Sequence, residues 1–212
     1  GATIRKRSVA SVLKELEGWR SAGFRRIFFT DNTFNLPPAY ARQLCDRIAE
    51  AGLGLSWRCI LYPGRFDASL AQAMARAGCR EVSLGFESGN ARVLAGMRKR
   101  FGPADVLRAA DLLQDVGIRR MGFLLLGGPD ETAASAEESL HFADALGLET
   151  VKLTVGIRIY PHTRLARSAA DEGIVDPADD LLKPRFYIKP GLESWLRSTV
   201  ARWQVNRPHW VL

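Results

Sequence analysis

A 212-residue chain that is 47% apolar has enough material to bury a complete core, and its length makes a single domain the default. No apolar run approaches the ~18 residues of a membrane span and no signal peptide opens the sequence, so a cytoplasmic protein without membrane contact is expected. The net charge of +7 invites a nucleic-acid reading, but the arginines are spread along the chain and alternate with acids, as in Leu13-Lys14-Glu15-Leu16-Glu17. The densest cluster, Arg98-Lys99-Arg100, is not the basic stripe that a nucleic-acid partner requires.

The first residue is Gly1 rather than methionine, followed closely by Ile4-Arg5-Lys6-Arg7, which is not a natural start and reads as an expression boundary, a domain cut or the first ordered residue. Helical periodicity starts near residue 8, with Ser8 placed as an N-cap, and runs to 22. From there strands are predicted at Arg26–Thr30, Leu55–Ile60, Glu81–Phe86, Met121–Leu126 and Val151–Ile159. They alternate with helices near 37–51, 67–77, 103–116, 132–146 and 163–173. Ala22-Gly23, Ala51-Gly52, Ala77-Gly78, Val116-Gly117 and Leu146-Gly147 each close a helical segment, because glycine takes the left-handed conformation that ends the last turn without strain. The alternation predicts an α/β fold with a parallel sheet, wound either as a barrel or as an open doubly wound sheet. No strand precedes the first helix, so an amino-terminal βα unit is expected to be missing. Residues 176–212 read as a helical extension, with Trp195, Trp203 and Trp210 on a packing face.

The unusual residues follow the predicted strands. They are Asp31-Asn32-Thr33-Phe34-Asn35, Arg58 with Tyr62-Pro63-Gly64-Arg65, GFESGN (Gly85 to Asn90), GGPDET (Gly127 to Thr132) and GIRIYPHT (Gly156 to Thr163). Singly, each has a structural explanation. Asp31 and Asn35 suit turns, Ser88 suits a cap, and Glu131 suits the positive end of a helix dipole. Together they place polar groups at the carboxyl ends of parallel strands, where α/β folds carry their chemistry. Cys45, Cys59 and Cys79 lie 14 and 20 residues apart, a spacing that fits neither a disulfide framework nor a metal knuckle. Buried thiols, and no metal ligands, are expected.

The segments IFFTDNTFN, VSLGFESGNARVLAGMRK, GFLLLGGPDET and YPHTRLA resemble, in order, the strand-end motifs of the radical SAM superfamily: D-(D/N)-x-F, G-x-E-S-G, G-x-P-x-E-T and Y-P-x-T. The likeness covers about residues 4 to 175. It is strongest to the group that includes methylthiotransferases and cobalamin-binding methylases and cyclases. The later stretch GIRIYPHTRLARSAADEGIVDPADDLLKPRFYIKPGL is similar to the cobalamin-associated subset. The resemblance implies a partial (βα)5-6 TIM-like barrel over residues 1–175, without its first βα unit. The C-x-x-x-C-x-x-C loop that holds a [4Fe–4S] cluster in this family is absent here, which implies cluster ligands outside this chain and a fragment that is inactive by itself.

Carried onto this sequence, the resemblance implies an S-adenosylmethionine site. Asp31 and Asn32 would face the methionine amine, and Arg58 would fork onto its carboxylate. Glu87 would accept ribose hydroxyls or the amine, with Ser88 beside it. Gly127 and Gly128 would let backbone approach the adenine, Ile159-Tyr160-Pro161 would wall it from the far side, and Arg158 is a further cofactor-binding candidate. The implied reaction is reductive cleavage of S-adenosylmethionine to a 5′-deoxyadenosyl radical that abstracts hydrogen from a small-molecule or peptide substrate, or assists cobalamin-dependent methyl transfer. S-adenosylmethionine, the cluster and, for the cobalamin subset, cobalamin are the implied cofactors, and flavodoxin or ferredoxin the kind of electron donor. Two rival classes are an α/β-barrel enzyme binding a phosphate or sugar, whose glycine-rich loop only GGP approximates, and a non-catalytic or RNA-binding module.

Overall fold

The structure, a computed structural model, describes residues 5–212, so Gly1 and Ile4 lie outside the described residues. Helix α1 (Val9–Ser21) leads into β1 (Arg26–Phe29), α2 (Pro38–Glu50), β2 (Ser56–Leu61), α3 (Ala68–Arg76), β3 (Cys79–Glu87), α4 (Ala91–Gly96) and α5 (Pro103–Asp115). Then follow β4 (Arg119–Leu126), α6 (Ala133–Ala145), β5 (Thr150–Val155), β6 (Ile157–Ile159), α7 (Arg164–Asp171), β7 (Arg185–Tyr187), α8 (Glu193–Gln204) and β8 (Trp210–Val211). Among the described residues no helix is long and apolar enough to cross a membrane.

Helix starts follow cap chemistry. The side chains of Ser8, Asp67, Asn90, Thr132 and Thr163 accept the N–H of Ser11, Leu70, Val93, Ser135 and Ala166. Each such cap is worth about 1 kcal/mol. At the other ends, Gly23, Gly52, Gly78, Gly117 and Gly147 all have positive φ, as helix-closing glycines require. Gly78 is doubly constrained, since a Cβ there would lie 2.2 Å from the Leu55 carbonyl oxygen.

One six-stranded sheet has the order β1-β2-β3-β4-β5-β8. The registers of β1 on β2, β2 on β3 and β5 on β8 are parallel. Strands one to five neighbour one another in chain order, with no reversal. A doubly wound sheet reverses its strand order at a switch point, so of the two windings open to the sequence this is the barrel-type one.

Two compact units divide the chain. Unit 1 spans residues 1–85 and 104–121, and unit 2 spans 86–103 and 122–212. In unit 1, Trp57 is buried against Phe29 and Phe34, with ring centroids 5.2 and 5.0 Å away, and its indole N–H donates to the Ala77 carbonyl at 2.7 Å. Cys45, Cys59 and Cys79 are free and buried, as expected from their spacing. In unit 2, Phe86 at the end of β3 meets Phe142 of α6, and Gly122 of β4 lies beneath Phe86 and Leu148.

Two departures from the sequence reading lie in unit 2. The single strand expected over Val151–Ile159 is broken at Gly156, whose φ is 92°. Beyond the break β6 leaves the main sheet and pairs antiparallel with β7, Ile157 opposite Tyr187. A β-rich composition runs unbroken through this turn, so periodicity carries no sign of it. The stretch 176–212 is not wholly helical: beside α8 it holds β7 and β8, and β8 extends the sheet alongside β5. Short α4, directly after the GFESGN turn, had no separate sequence signal.

A Cβ at Gly122 would lie 2.5 Å from Leu148 and 2.6 Å from the Phe86 ring, whereas one at Gly18 in α1 meets nothing within 4 Å. Gly122→Ala is therefore expected to cost about 1–3 kcal/mol through overpacking, and Gly18→Ala to stabilise by about 0.5–1 kcal/mol. Denaturant melts of the two variants check this, and equal effects would contradict the packing of Phe86.

Candidate functional site

The end of β3 carries an unusual backbone. Glu87 is a non-glycine residue with φ of 64°, a left-handed conformation that L side chains rarely adopt. A buried hydrogen-bond chain holds it there. The Asn90 N–H donates to Ser88 Oγ at 3.1 Å, Ser88 and Ser139 hydroxyls lie 2.8 Å apart, and Ser139 Oγ donates to the Ser135 carbonyl at 2.8 Å. A hydroxyl has one proton, and Ser139 spends its proton on Ser135, so Ser88 must be the donor between the two. Ser139 Oγ also accepts the Gly89 N–H at 3.1 Å. Gly89 allows this approach, because a Cβ there would sit 2.4 Å from Phe142.

Held this way, Glu87 directs its carboxylate to Lys99, whose Nζ is 3.0 Å from Oε1. Both line a cavity of 430 Å³ together with Met97, Gly128, Ile157 and Arg164. That volume suits a small-molecule ligand.

The GGPDET turn borders the same cavity from β4. Gly127 has φ of 96°, and its N–H donates to Glu131 Oε2 at 2.8 Å. Ser135 Oγ donates to the other carboxylate oxygen at 3.3 Å, and the Gly128 carbonyl accepts the Glu131 N–H at 3.1 Å. A Cβ on Gly128 would come within 3.1 Å of Ile157 and 3.5 Å of Met97, narrowing the space beside the cavity. Glu131 is 3% exposed and faces its own turn, so it is a clamp on the glycines rather than a group offered to a ligand. Thr132 and Ser135 cap α6 reciprocally, so the helix-start role expected of Glu131 falls to Thr132 instead. Burial pushes the Glu131 carboxyl above its ordinary value, opposed by the hydrogen bonds from Gly127, Gly128 and Ser135.

Of the remaining unit 2 candidates, Ser88 is fully buried with its hydroxyl engaged, and Gly127 lies under Ile188 and Leu196. Arg158 stacks over the Tyr160 ring at 4.8 Å, with Tyr160 exposed. Neither of those two is among the residues lining the Glu87 cavity. In unit 1, Asp31 and Asn32 follow β1 in a 480 Å³ cavity with Tyr40. Burial foremost, then the Asp31 charge, raises the Tyr40 phenol, while Arg7 opposes the shift. Arg58 stands within β2 rather than beyond it. Its guanidinium lies 3.5 Å from Glu81 and stacks over Phe28 at 4.6 Å. Arg119 pairs with the other Glu81 oxygen at 3.2 Å. Asn35, read from sequence as a turn former, is fully buried and exchanges both amide hydrogen bonds with the Tyr62 backbone, at 2.8 and 2.9 Å. Sequence reasoning missed Lys99 and Ser139; only the position of Lys99 just beyond GFESGN could have drawn attention to it.

Burial raises the thiols of Cys45 and Cys59, and no group of three His, Cys, Asp or Glu able to hold a metal occurs among the described residues.

Parallel strands wound in chain order, with a ligand-sized cavity at the strand ends bounded by glycine backbone and a strained carboxylate, define an α/β enzyme fold of the barrel class. The chain belongs to the radical SAM superfamily, whose sequence profile matches residues 2–143. It is 32% identical to an uncharacterized methyltransferase of Pyrococcus horikoshii over 78% of this chain and 36% of that protein. Tryptophan 2-C-methyltransferase of Streptomyces laurentii is 26% identical over 81% of this chain and 31% of its own length. The fold matches a radical S-adenosylmethionine methyltransferase from Kitasatospora setae, solved with cobalamin and a [4Fe–4S] cluster bound, with a TM-score of 0.83 at 23% identity. That alignment covers 98% of this chain and 49% of the other. The same enzyme has been solved with tryptophan substrate and an aza analogue of S-adenosylmethionine. The chain thus spans about a third of the curated relatives it matches.

The raised Glu131 carboxyl gives a pH dependence with a defined sign. Across the interval above the ordinary carboxylate range and below the raised native value, the folded state binds more protons than the unfolded state, so stability falls as pH rises. Glu131→Gln, which keeps one acceptor oxygen and cannot ionise, should remove that slope. Urea melts of both proteins through this interval check it, and parallel pH profiles would contradict the burial of the charge.

Proposed function

We propose that this chain is the S-adenosylmethionine-binding part of a radical SAM methyltransferase of the cobalamin-associated kind. The observation that carries the reading is Glu87: a carboxylate forced into a left-handed turn at a strand end, beside a cavity that the glycine backbone of the next strand borders. Backbone strain of about 1–3 kcal/mol persists where surrounding structure over-determines it, and such residues cluster at ligand clamps.

In this reading Glu87 accepts hydrogen bonds from ribose hydroxyls or the methionine amine. Gly128 leaves room for a flat adenine beside Ile157, and the Glu131 clamp keeps that backbone from relaxing. Ser88 serves by fixing the turn, and Arg158 with Tyr160 closes the outer side. A [4Fe–4S] cluster with ligands outside this chain would supply the reducing electron, and cobalamin the methyl group. The residues described here bind, orient and exclude water, while the cofactors carry the hard chemistry. The substrate class is a small molecule or peptide, the electron donor a flavodoxin or ferredoxin, and the compartment the cytoplasm. The methyltransferase relatives and the fold of the Kitasatospora enzyme support this assignment.

One charged hydrogen bond is worth about 1.5–3 kcal/mol, and each ~1.4 kcal/mol is a decade in affinity. Glu87→Ala in the full-length enzyme should therefore weaken S-adenosylmethionine binding about ten- to a hundredfold, with Glu87→Gln between it and the parent. Calorimetric titration with thermal melts on the same samples tests this. Unchanged affinity in Glu87→Ala would remove the residue from the site.

A further inference from the structure

Unit 1 holds a cavity of 820 Å³ towards the amino ends of β1 to β4. Each of these four neighbouring strands sends one arginine to it. Arg26 begins β1, Arg58 lies in the first half of β2, Arg80 is the second residue of β3, and Arg119 begins β4. Glu81 is the one carboxylate among the described residues that line the cavity. It holds Arg58 at 3.5 Å and Arg119 at 3.2 Å, while Arg26 and Arg80 have no ion-pair partner among the described residues. Sequence reading could not reveal this cluster, because its members are dispersed from residue 26 to residue 119.

The sheet is locally altered where the cluster forms. Trp57 pairs with Cys79 and Arg58 with Glu81, so Arg80 is an extra residue bulged out of the ladder. An unbroken register would set Arg58 against Arg80. The bulge sets it against Glu81 instead. On its other side Arg58 is in register with Phe28, and its guanidinium stacks over that half-exposed ring at 4.6 Å. Arg58 is thus oriented by two neighbours, yet its side chain stays 55% exposed and that of Arg119 67% exposed, so donors remain free for a ligand.

Like charges on adjacent strands repel, and exposed ion pairs return little stability. Four arginines around one carboxylate are therefore poorly explained by folding. Guanidinium groups present forked donors that match phosphate and carboxylate oxygens. With strands about 4.8 Å apart, the four arginines spread over about 14 Å, too far for one phosphate or carboxylate group to reach them all. A chain of linked anionic groups can, and a cavity of 820 Å³ accommodates a small molecule of that kind.

We propose that this arginine cavity is a second binding site, for a small molecule that carries a phosphate chain. It shares no lining residue with the Glu87 cavity and does not rest on the S-adenosylmethionine reading. Arg26 and Arg80 meet the chain with charges that no acid of the cavity neutralises. Arg58 and Arg119 exchange Glu81 for phosphate oxygens, so Glu81 holds the two arginines in the empty site and competes with the ligand for them. A nucleoside triphosphate and a free polyphosphate share this chemistry.

The test is calorimetric titration of the full-length enzyme with inorganic tripolyphosphate, with and without S-adenosylhomocysteine. Arg26→Gln and Arg80→Gln, both at exposed positions, should each weaken binding about ten- to a hundredfold, as expected for one charged hydrogen bond. Lys14→Gln makes the same charge change on an exposed position of α1 and should alter it less than about twofold. Glu81→Gln removes the competing carboxylate and should tighten binding roughly two- to fivefold, whereas a merely structural Glu81 would give a loss. Adenosine triphosphate, titrated with S-adenosylhomocysteine present, separates the two sources: tighter binding than tripolyphosphate assigns the site to nucleotides, and equal binding to the phosphate chain alone. A parent enzyme that does not bind tripolyphosphate would overturn the proposal, as would equal losses in Lys14→Gln and Arg26→Gln or weaker binding in Glu81→Gln. Citrate bound as tightly as tripolyphosphate would overturn the phosphate class. Displacement of tripolyphosphate by S-adenosylhomocysteine would put the probe in the Glu87 cavity and overturn the second site.

Discussion

The hydroxyl chain from Ser88 through Ser139 to the Ser135 carbonyl is the constraint on which the candidate site depends. It crosses from the turn after β3 to a buried face of α6, and it has one consistent direction of protons. Removing either hydroxyl leaves a buried donor or acceptor without a partner, a loss of about 1–3 kcal/mol per group. That penalty is of the same size as the strain in Glu87, which explains how a left-handed glutamate persists at the end of a strand. Ser88 is thus a fastener, and the carboxylate beside it is the group presented to the cavity.

The second border of the cavity follows the same logic with a different fastener. Glu131 turns back under its own loop to hold the Gly127 N–H, at the cost of burying a carboxylate. Gly127 is favoured because its φ of 96° would strain other residues, and Gly128 because a Cβ there would crowd Ile157 at 3.1 Å. The two glycines after FLLL therefore answer separate demands, one conformational and one spatial. A carboxylate in this motif that never faces the ligand still decides the shape of the surface that does.

Most of the alternation was legible in the sequence, because glycines such as Gly78 and Gly117 close helices by a local mechanism that depends on few neighbours. Helix starts at Ser8, Thr132 and Thr163 were legible for the same reason. The break at Gly156 was not, since β6 leaves the sheet only because β7, some thirty residues on, offers it a partner. β8 is likewise a product of tertiary pairing, two residues laid beside β5. At the site, motif resemblance located Glu87 and Gly128 but could not reveal the φ of Glu87, the inward turn of Glu131 or the approach of Lys99. A mid-helix serine such as Ser139 carries no sequence signal at all. Arg58 shows the converse limit, because nothing local announces that Glu81 on the neighbouring strand already holds it.

Hydrogen–deuterium exchange on the full-length enzyme, with and without S-adenosylhomocysteine, tests the central claim most directly. It reads which backbone segments a ligand covers, independently of turnover. Ligand should slow exchange in the turn at 85–90, in the glycine loop at 127–131 and around Lys99, leaving residues 56–61 of β2 unchanged. Protection that spares 85–90 and 127–131 while another segment of the chain is slowed would contradict the assignment of the Glu87 cavity as the S-adenosylmethionine site.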